Sequence, residues 1–174
     1  MLLDRCPSRS FTVVGDRAQA RHGFAEPWTT RLGRLGLHAR VATLTVNYRT
    51  PSEVMAEAEP VIRAVLPDAN VPTSVRSSGV PVTHGAVGDL DDVVEQWLTE
   101  HDDGTACVIG ASSSVPPTDA GGRVRVLTPA TAKGLEFDLV VLVDPDAWDA
   151  VDRYVAMTRA TRRLVVLGPR AGAG

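Results

Sequence analysis

The sequence predicts an α/β fold in which helices cover a layered, mostly parallel β-sheet. Two apolar runs rich in Val and Leu, Val124–Leu127 and residues 139–143, lie close together in the chain. Such runs are typical of parallel strands that are buried on both faces. A short polar turn separates them, and strand-like runs alternate with amphipathic helical patterns elsewhere. This alternation indicates βα units packed into one layered domain.

The first half of the chain contains two predicted strands and one clear helix. Residues 11–15, with the sequence FTVVG, predict a short buried strand, and residues 29–35 a weak helix. An alternating run at residues 41–46 predicts a second strand. The helix Ser52–Val65 follows, because its apolar residues recur at spacings of three and four. Pro60 lies inside this helix and is expected to kink or split it.

The second half contains the remaining elements. A Pro- and Ser-rich loop at 67–81 precedes an edge strand at 82–87 and a helix at 89–101 with acids in its first turn. A strand at 106–110 and a loop at 111–122 lead to the two apolar runs. Between those runs, Thr128 and Pro129 resemble a helix entry. A helix at 149–158 and a strand at 164–167 complete the pattern.

Composition limits the class of protein. The 174 residues are 44% hydrophobic, which suffices for a domain core, and the net charge of −3 disfavours strong nucleic-acid binding by this chain alone. No run is long and apolar enough to span a membrane, so we expect a cytoplasmic protein without membrane contact. Cys6 and Cys107 have no metal-ligand spacing, and we expect two reduced thiols and no metal site.

Neither GxxxxGK[ST] nor GxGxxG occurs, so the chain has no phosphate-binding loop of its own. Four polar clusters nevertheless fall at predicted strand ends, and parallel topology predicts that they share the carboxyl edge of the sheet. Arg49 and Arg159 could there bind phosphate oxygens with their forked donors. Each cluster also has an ordinary explanation, such as an arginine paired with a nearby acid or an amphipathic helix packed on the sheet. The clusters are residues 16–19, 47–49, 133–136 and 154–159.

Taken in order, the patterns GDxxQ, LxxNYR, TxxxAKGLEFD and YVAMTRA resemble motifs three to six of the UvrD/Rep-type superfamily-one helicases. Within that class, MLLDRCPSRSFTVVGDRAQ and RYVAMTRATRRLVVL are most similar to the HelD/HelR motor ATPases that act on RNA polymerase. The resemblance implies two RecA-like lobes with ATP between them. Residues 1–35 would be the remnant of the first lobe, with motif three, and residues 36–174 the second lobe, with motifs four, five and six. The phosphate loop and the Mg²⁺ ligands would lie upstream.

The resemblance also implies roles for the nucleotide-facing residues. Gln19 would position the attacking water, and Arg49 and Arg159 would act as arginine fingers on the transferring phosphoryl group. Tyr48 would stack on adenine. Gly134 would let the backbone approach the nucleotide, and Glu136 would accept a hydrogen bond from the ribose.

Weaker nucleic-acid contacts are implied for Phe24, Thr128 and Lys133. Lys133 is the only lysine in the chain, and bracing of the motif-five turn remains an alternative role for it. Two departures from the motifs argue against processive unwinding. Ala130 stands where repair helicases have a His, and only Phe24 keeps an aromatic stacking position in the motif-three extension.

The sequence therefore predicts the carboxyl-terminal part of an ATP-dependent, helicase-like motor that remodels RNA polymerase or nucleic-acid complexes. A non-catalytic RecA-like module that binds RNA polymerase or DNA is the alternative. Because the phosphate loop is expected in an upstream lobe, we expect no ATP turnover from these 174 residues alone.

Overall fold

A computed structural model describes residues 10, 12–20, 26–110 and 122–169. Predictions for residues 1–9, for Phe24 and for the loop at 111–121 lie outside these ranges. The helices and strands follow in chain order. They are α1 (Trp28–Arg34), β1 (Val46–Asn47), α2 (Ser52–Val65), β2 (Thr73–Ser74), β3 (Thr83–Ala86), α3 (Leu90–Glu100), β4 (Ala106–Ile109), β5 (Val124–Leu127), β6 (Phe137–Val143), α4 (Ala150–Met157) and β7 (Ala160–Gly168).

Five strands form one parallel sheet in the order β3-β7-β6-β4-β5. Strands β4 and β6 are almost wholly buried, as their unbroken apolar sequences predict. Among the described strands, β3 pairs with β7 alone and is the edge strand that the sequence predicts. The predicted α/β fold with a mostly parallel sheet is confirmed.

Helices cover both faces of the sheet. Apolar side chains of α2 and α4 pack on one face in a cluster that includes Ile62, Met157 and Val140. The other face is covered by α3, whose Trp97 packs with Leu139 and Val165. Alternate residues of the central strands thus enter opposite layers, and two cores stabilise one sheet. None of the helices within the described ranges is long and apolar enough to cross a membrane.

Helix α2 has the predicted bounds and continues through Pro60. A proline there removes one backbone donor from the helix. The helix tolerates the loss because it is anchored on the core by Val54, Ala58 and Ile62, which are at most 1% exposed, while Pro60 faces solvent. The expected split at Pro60 is wrong.

The two strands predicted in the first half of the chain differ most from the structure. Residues 12–15 form no strand, and Val13 and Val14 are 55% and 87% exposed. A strand needs a neighbour for its backbone groups, and within the described residues none lies beside this segment. The strand predicted at 41–46 shrinks to β1, which pairs with β2 outside the main sheet.

The connection from β5 to β6 contains a single helical turn. Thr128 accepts at its carbonyl oxygen from the amide of Ala132 at 3.0 Å, and its hydroxyl accepts from the amide of Thr131 at 3.2 Å. The threonine therefore caps a turn, as the sequence predicts. No helix follows this turn, which ends at Gly134, a residue in a left-handed conformation with φ at +83°.

The packing of α2 predicts a large difference between two of its residues. Ile62 is fully buried, whereas Val65, one turn further along, is 58% exposed. Ile62→Ala is expected to lower the free energy of unfolding by about 2–5 kcal/mol, because it removes buried methyl groups and leaves a cavity. Val65→Ala should change it by less than about 1 kcal/mol. Urea denaturation followed by circular dichroism measures both, and equal losses would contradict this packing.

Candidate functional site

Three loops meet at the amino edge of the sheet, beside the first residues of β6 and β7. The amide of Phe137 donates to the carbonyl of Arg159 at 3.0 Å, which joins the two strand starts. The hydroxyl of Thr50, 1% exposed, donates to the carbonyl of Thr158 at 3.4 Å. These contacts bring loop 47–50, loop 134–136 and the turn at 158–159 together.

The sequence predicted that this cluster lies at the carboxyl edge of the β-sheet, and that prediction is wrong. Glu136 and Arg159 immediately precede β6 and β7, so they lie where those strands begin. Of the predicted residues, Thr128 directly follows the carboxyl end of β5. The polar stretch between β5 and β6 therefore runs from one edge of the sheet to the other, and its Glu136 end reaches the site.

Arg159 is the centre of the site and is 2% exposed. Its Nε donates to the carbonyl of Val155 at 2.9 Å, its Nη1 to the carbonyl of Leu135 at 3.3 Å, and its Nη2 to the hydroxyl of Thr158 at 3.2 Å. The first bond caps the last turn of α4, where a cation also interacts favourably with the helix dipole. All three partners are neutral, so the positive charge of Arg159 is positioned but not neutralised.

Burial makes the charged form of the Arg159 guanidinium less favourable than it is in water. Burial, and to a smaller extent the positive charge of nearby Arg49, lower the pKa of this guanidinium from 12.5 to about 10, against smaller opposing effects of Tyr154, Glu136 and Asp16. Within the described residues no carboxylate lies at ion-pair distance from Arg159. The carboxylates of Glu136 and Asp16 act on it only from beyond that distance. A buried cation without an ion-pair partner is costly, so this position favours an anionic ligand.

Arg49 faces Glu136 across the opening of the site. Its Nη1 lies 3.6 Å from Oε2 of Glu136, and the two side chains are 43% and 59% exposed. An ion pair at that distance and exposure contributes little to stability. Both groups can therefore exchange this contact for another partner.

Loop 47–50 is held by Asn47, a residue to which the sequence analysis gave no role. Its Oδ1 accepts from the amides of Arg49 at 2.9 Å and Thr50 at 3.1 Å. This is an Asx turn. An Asn two residues before an arginine and four before Pro51 is the signal that could have indicated it. The turn fixes the backbone from which Arg49 projects.

A second loop, residues 74–79, braces the first. The hydroxyl of Ser74 donates to the carbonyl of Thr50 at 2.6 Å, and Arg76 donates to the carbonyl of Arg49 at 3.2 Å. Glu53, in the first turn of α2, accepts hydrogen bonds from the Ser77 hydroxyl and from the amides of Ser78 and Gly79. Sequence analysis missed this brace because the segment has no periodicity.

Tyr48 and Gly134 flank the arginines. Tyr48 is 74% exposed, which leaves its ring free to stack on a flat ligand. Gly134 has open space where a Cβ would lie, and its φ of +83° shows that the backbone conformation is what requires glycine there. Close approach to a nucleotide stays a prediction for Gly134.

Lys133 joins the motif-five turn to the segment that carries Gln19. Its Nζ donates to the carbonyl oxygen of Gln19, and Nε2 of Gln19 donates to Oδ2 of Asp16 at 2.7 Å. These residues, with Trp28, line an open cavity of about 320 Å³. The contact is of the bracing kind that the sequence left open for Lys133.

The segment that carries Gln19 is docked on the helical layer. Ala18, 1% exposed, packs in the core that α2 and α4 form, beside Tyr154. Arg17 pairs with Asp68 at 2.9 Å, and this hydrogen bond holds the pKa of the Asp68 carboxyl below its usual value. Burial, with a smaller effect of Asp16, raises the pKa of Tyr154 to about 12. The segment that carries Gln19 is thus docked on the α2–α4 layer by packing that the sequence pattern did not reveal.

Thr128 lies apart from the arginines. With Arg125, Leu127 and Thr131 it lines a second open cavity, of about 430 Å³, at the β5 edge. The hydroxyls of Thr128 and Thr131 are 3.0 Å apart. Phe24 lies outside the described residues, so the predicted nucleic-acid contacts stay predictions.

The arrangement is suited to binding an anion and a flat ring. It has two guanidinium groups, one buried and one partly exposed, together with an exposed Tyr ring and an exposed carboxylate. No group of three or more potential metal ligands occurs among the side chains the structure describes. The two guanidinium groups are donors of the kind that bind anions such as phosphates.

Comparison with known proteins supports the motif assignment. Residues 123–167 match the UvrD-like helicase C-terminal domain. That segment contains β5, β6, α4 and most of β7, with Lys133, Gly134, Glu136 and Arg159. The match agrees with the helicase second-lobe fold that motifs five and six predict.

Other similarities are weaker. A protein of Mycolicibacterium vanbaalenii named uroporphyrinogen decarboxylase is 37% identical over 108 residues, which are 60% of this chain and 28% of that protein. The chain thus spans less than a third of this relative, and the relative's name is not transferred to it.

Solved structures with similar folds are helicases. The C-terminal domain of a possible DNA helicase from Lactobacillus plantarum WCFS1 has a TM-score of 0.49 at 19% identity, covering 71% of this chain and 88% of that one. The PRRSV nsp10 helicase has a TM-score of 0.47 at 17% identity, and the match covers 74% of this chain and 24% of that one. The helicase nonstructural protein 10 of an arterivirus has a TM-score of 0.45 at 21% identity, and the match covers 84% of this chain and 30% of that one.

The Glu53 brace predicts a pH-dependent contribution to stability. The hydrogen bond from Ser77, then those from backbone amides, lower the pKa of Glu53 from 4.5 to about 2. A depressed carboxyl pKa stabilises the folded state above pH 4.5, and this contribution is lost as pH falls towards 2. Glu53→Gln should therefore lower the unfolding free energy at pH 7 and have a smaller effect at pH 3. Urea denaturation at both pH values tests this, with Glu95→Gln on α3 as the control for net charge. An equal effect of Glu53→Gln at both pH values would contradict the brace.

Proposed function

We propose that this chain is the second motor lobe of an ATP-dependent, helicase-type ATPase. An upstream RecA-like lobe would bind the phosphates and Mg²⁺, and this lobe would complete the site from the other side. Arg49 and Arg159 would supply positive charge to the transferring phosphoryl group, and Gln19 would orient the attacking water. Tyr48 would stack on adenine.

The observation that supports this function best is the buried, unneutralised charge of Arg159. Removing a guanidinium from water costs several kcal/mol, and neutral hydrogen bonds offset only part of this cost. The cost is recovered when a strongly anionic group arrives, and the charge is then already in place. Preorganised positive charge of this kind is what stabilises a phosphoryl-transfer transition state.

Arg49 complements Arg159 because it is more exposed and only weakly paired. The braced backbone of loop 47–50 fixes where its side chain begins, while the side chain itself can reach outward. A ligand at this edge would meet one fixed and one adjustable guanidinium. Two donors of this kind match the oxygens of a phosphate chain.

The finer assignment concerns the partner. The sequence resemblance to HelD/HelR motor ATPases supports RNA polymerase as the complex that this motor remodels. Weaker nucleic-acid contacts would come from Phe24, Thr128 and Lys133. Lys133 already binds the Gln19 carbonyl, so its proposed role is to couple the nucleotide site to the nucleic-acid side of the lobe.

A second candidate is a non-catalytic module that keeps the fold and binds RNA polymerase or DNA without hydrolysis. One observation favours it: the three hydrogen bonds of Arg159 suit a purely structural cap of α4. The two candidates differ in whether the protein that joins this chain to its upstream lobe hydrolyses ATP.

In a protein that joins this chain to the upstream lobe, Arg159→Ala should lower ATP turnover by about 10³–10⁵-fold, with nucleotide affinity changed only a few-fold. An arginine finger acts on charge that develops in the transition state. Steady-state kinetics and equilibrium nucleotide binding measure the two effects.

Arg159→Lys provides the matched control, because it retains the charge and loses the forked geometry. It should recover stability more than turnover. Loss of stability with normal turnover per folded molecule would show that Arg159 is a structural cap and no arginine finger. Absence of ATP turnover in the unaltered joined protein would favour the non-catalytic module.

A further inference from the structure

Residues 15–19, which we call the docked segment, are held at both ends by side chains from elsewhere in the chain. At one end the ring of Trp28 lies against Gly15, where an added Cβ would collide with it. At the other end Nζ of Lys133 donates to the carbonyl oxygen of Gln19. The ends of the docked segment are therefore attached to α1 and to the turn between β5 and β6.

The middle of the docked segment is held by an ion pair and by apolar packing. Nη1 of Arg17 donates to Oδ2 of Asp68 at 2.9 Å, and Nη2 donates to Oδ1 at 3.3 Å. Both oxygens of the carboxylate thus face one guanidinium, which is the geometry of a strong Arg–carboxylate pair. The Arg17 side chain is only 13% exposed, and the neighbouring Ala18 packs in the core that α2 and α4 form.

The side-chain amide of Gln19 is oriented from within the docked segment. Its Nε2 donates to Oδ2 of Asp16 at 2.7 Å, and Oδ1 of Asp16 accepts from the amide of Ala18 at 2.9 Å. The position of the Gln19 amide therefore follows the position of the whole segment. Burial lowers the pKa of Arg159 and the charge of Asp16 opposes this effect, so the segment lies within electrostatic range of the buried guanidinium.

We propose that Asp68 is a positioning residue for Gln19 and acts through Arg17. The Arg17–Asp68 pair sets the fraction of molecules in which the segment is docked, and so the fraction in which the Gln19 amide is in place to orient the attacking water. This inference rests on the proposed function, since it assumes that Gln19 acts in ATP turnover. Asp68 itself lies in the loop after α2, outside the four polar clusters that the sequence analysis identified.

Hydrogen exchange of the ¹⁵N-labelled 174-residue chain measures the docking. Asp68→Ala should speed exchange of the amides of Ala18, Gln19 and Ala20 about two- to five-fold, the range expected when one partly exposed ion pair is lost. Amides of β6 should exchange at the wild-type rate, because they open only when the lobe unfolds. Equal acceleration in β6 would make the pair a general stabiliser of the fold and would overturn the proposal.

Steady-state kinetics of the protein that joins this chain to its upstream lobe measures the positioning role. Asp68→Ala should lower kcat for ATP about two- to five-fold, in proportion to the loss of docking, and change KM less than about two-fold. The reason is that a water-orienting amide acts in the transition state more than in substrate binding. In a Gln19→Ala background, Asp68→Ala should have no further effect, because the group that it positions is absent. The same loss of kcat in both backgrounds would contradict the proposal.

Asp146→Ala is the matched control. Asp146 lies in the turn after β6 and pairs with Arg153, and the two side chains are 73% and 24% exposed, close to the 60% and 13% of Asp68 and Arg17. The control removes the same charge and the same kind of ion pair. It should leave both the exchange of the docked segment and kcat unchanged, and an effect equal to that of Asp68→Ala would attribute the result to net charge and reject the proposal.

Failure of the proposed function gives a different result. If the unaltered joined protein does not turn over ATP, or if Gln19→Ala leaves turnover unchanged, the proposed function of Gln19 is rejected, and with it any role of Asp68 in turnover. Faster exchange of the docked segment with unchanged kcat in Asp68→Ala would retain the proposed function and reject only the positioning role.

Discussion

The buried guanidinium of Arg159 is the interaction on which the rest of the site depends. It ties the end of α4 to the segment that enters β6, through Val155 and Leu135. Charge-assisted hydrogen bonds of this kind contribute about 1.5–3 kcal/mol each, and they hold together the two segments that build the site. They also leave the charge itself unneutralised. Arg159 thus joins two segments at the amino edge of the sheet, and its buried positive charge favours an anionic ligand there.

Hydrogen bonds hold the backbones of the neighbouring loops in place around Arg159. Loop 47–50 is fixed by the Asn47 Asx turn and by bonds from Ser74 and Arg76, so the backbone under Arg49 is rigid while its side chain remains adjustable. Lys133 donates a hydrogen bond to the Gln19 carbonyl and so joins the Gln19 segment to the turn between β5 and β6. Rigid backbone with a few movable side chains suits a site that must bind a ligand and then respond to it.

Helices and central strands were predictable from the sequence because burial imposes a period on them. The pattern of α2 gave its bounds, and the unbroken apolar runs gave β4 and β6. The strands predicted at residues 11–15 and 41–46 were wrong, because a strand also needs a neighbouring strand, which the local sequence does not reveal.

The prediction that the polar cluster lies at the carboxyl edge of the sheet was wrong for a related reason. Motif order placed Glu136 and Arg159 near strand ends, but only the chain path shows which end. Contacts such as Lys133 with Gln19, 114 residues apart, have no local signal.

The central claim is that Arg49 and Arg159 together form a phosphate site at the amino edge of the sheet. The most direct measurement follows the arginine Nε–Hε resonances of the ¹⁵N-labelled chain during titration with ATP. Those of Arg49 and Arg159 should shift together and saturate with one dissociation constant. That of Arg162, an exposed arginine over the Trp97 ring on the other face, should not. Equal, unsaturated shifts of all exposed arginines, with Arg159 unmoved, would contradict the account.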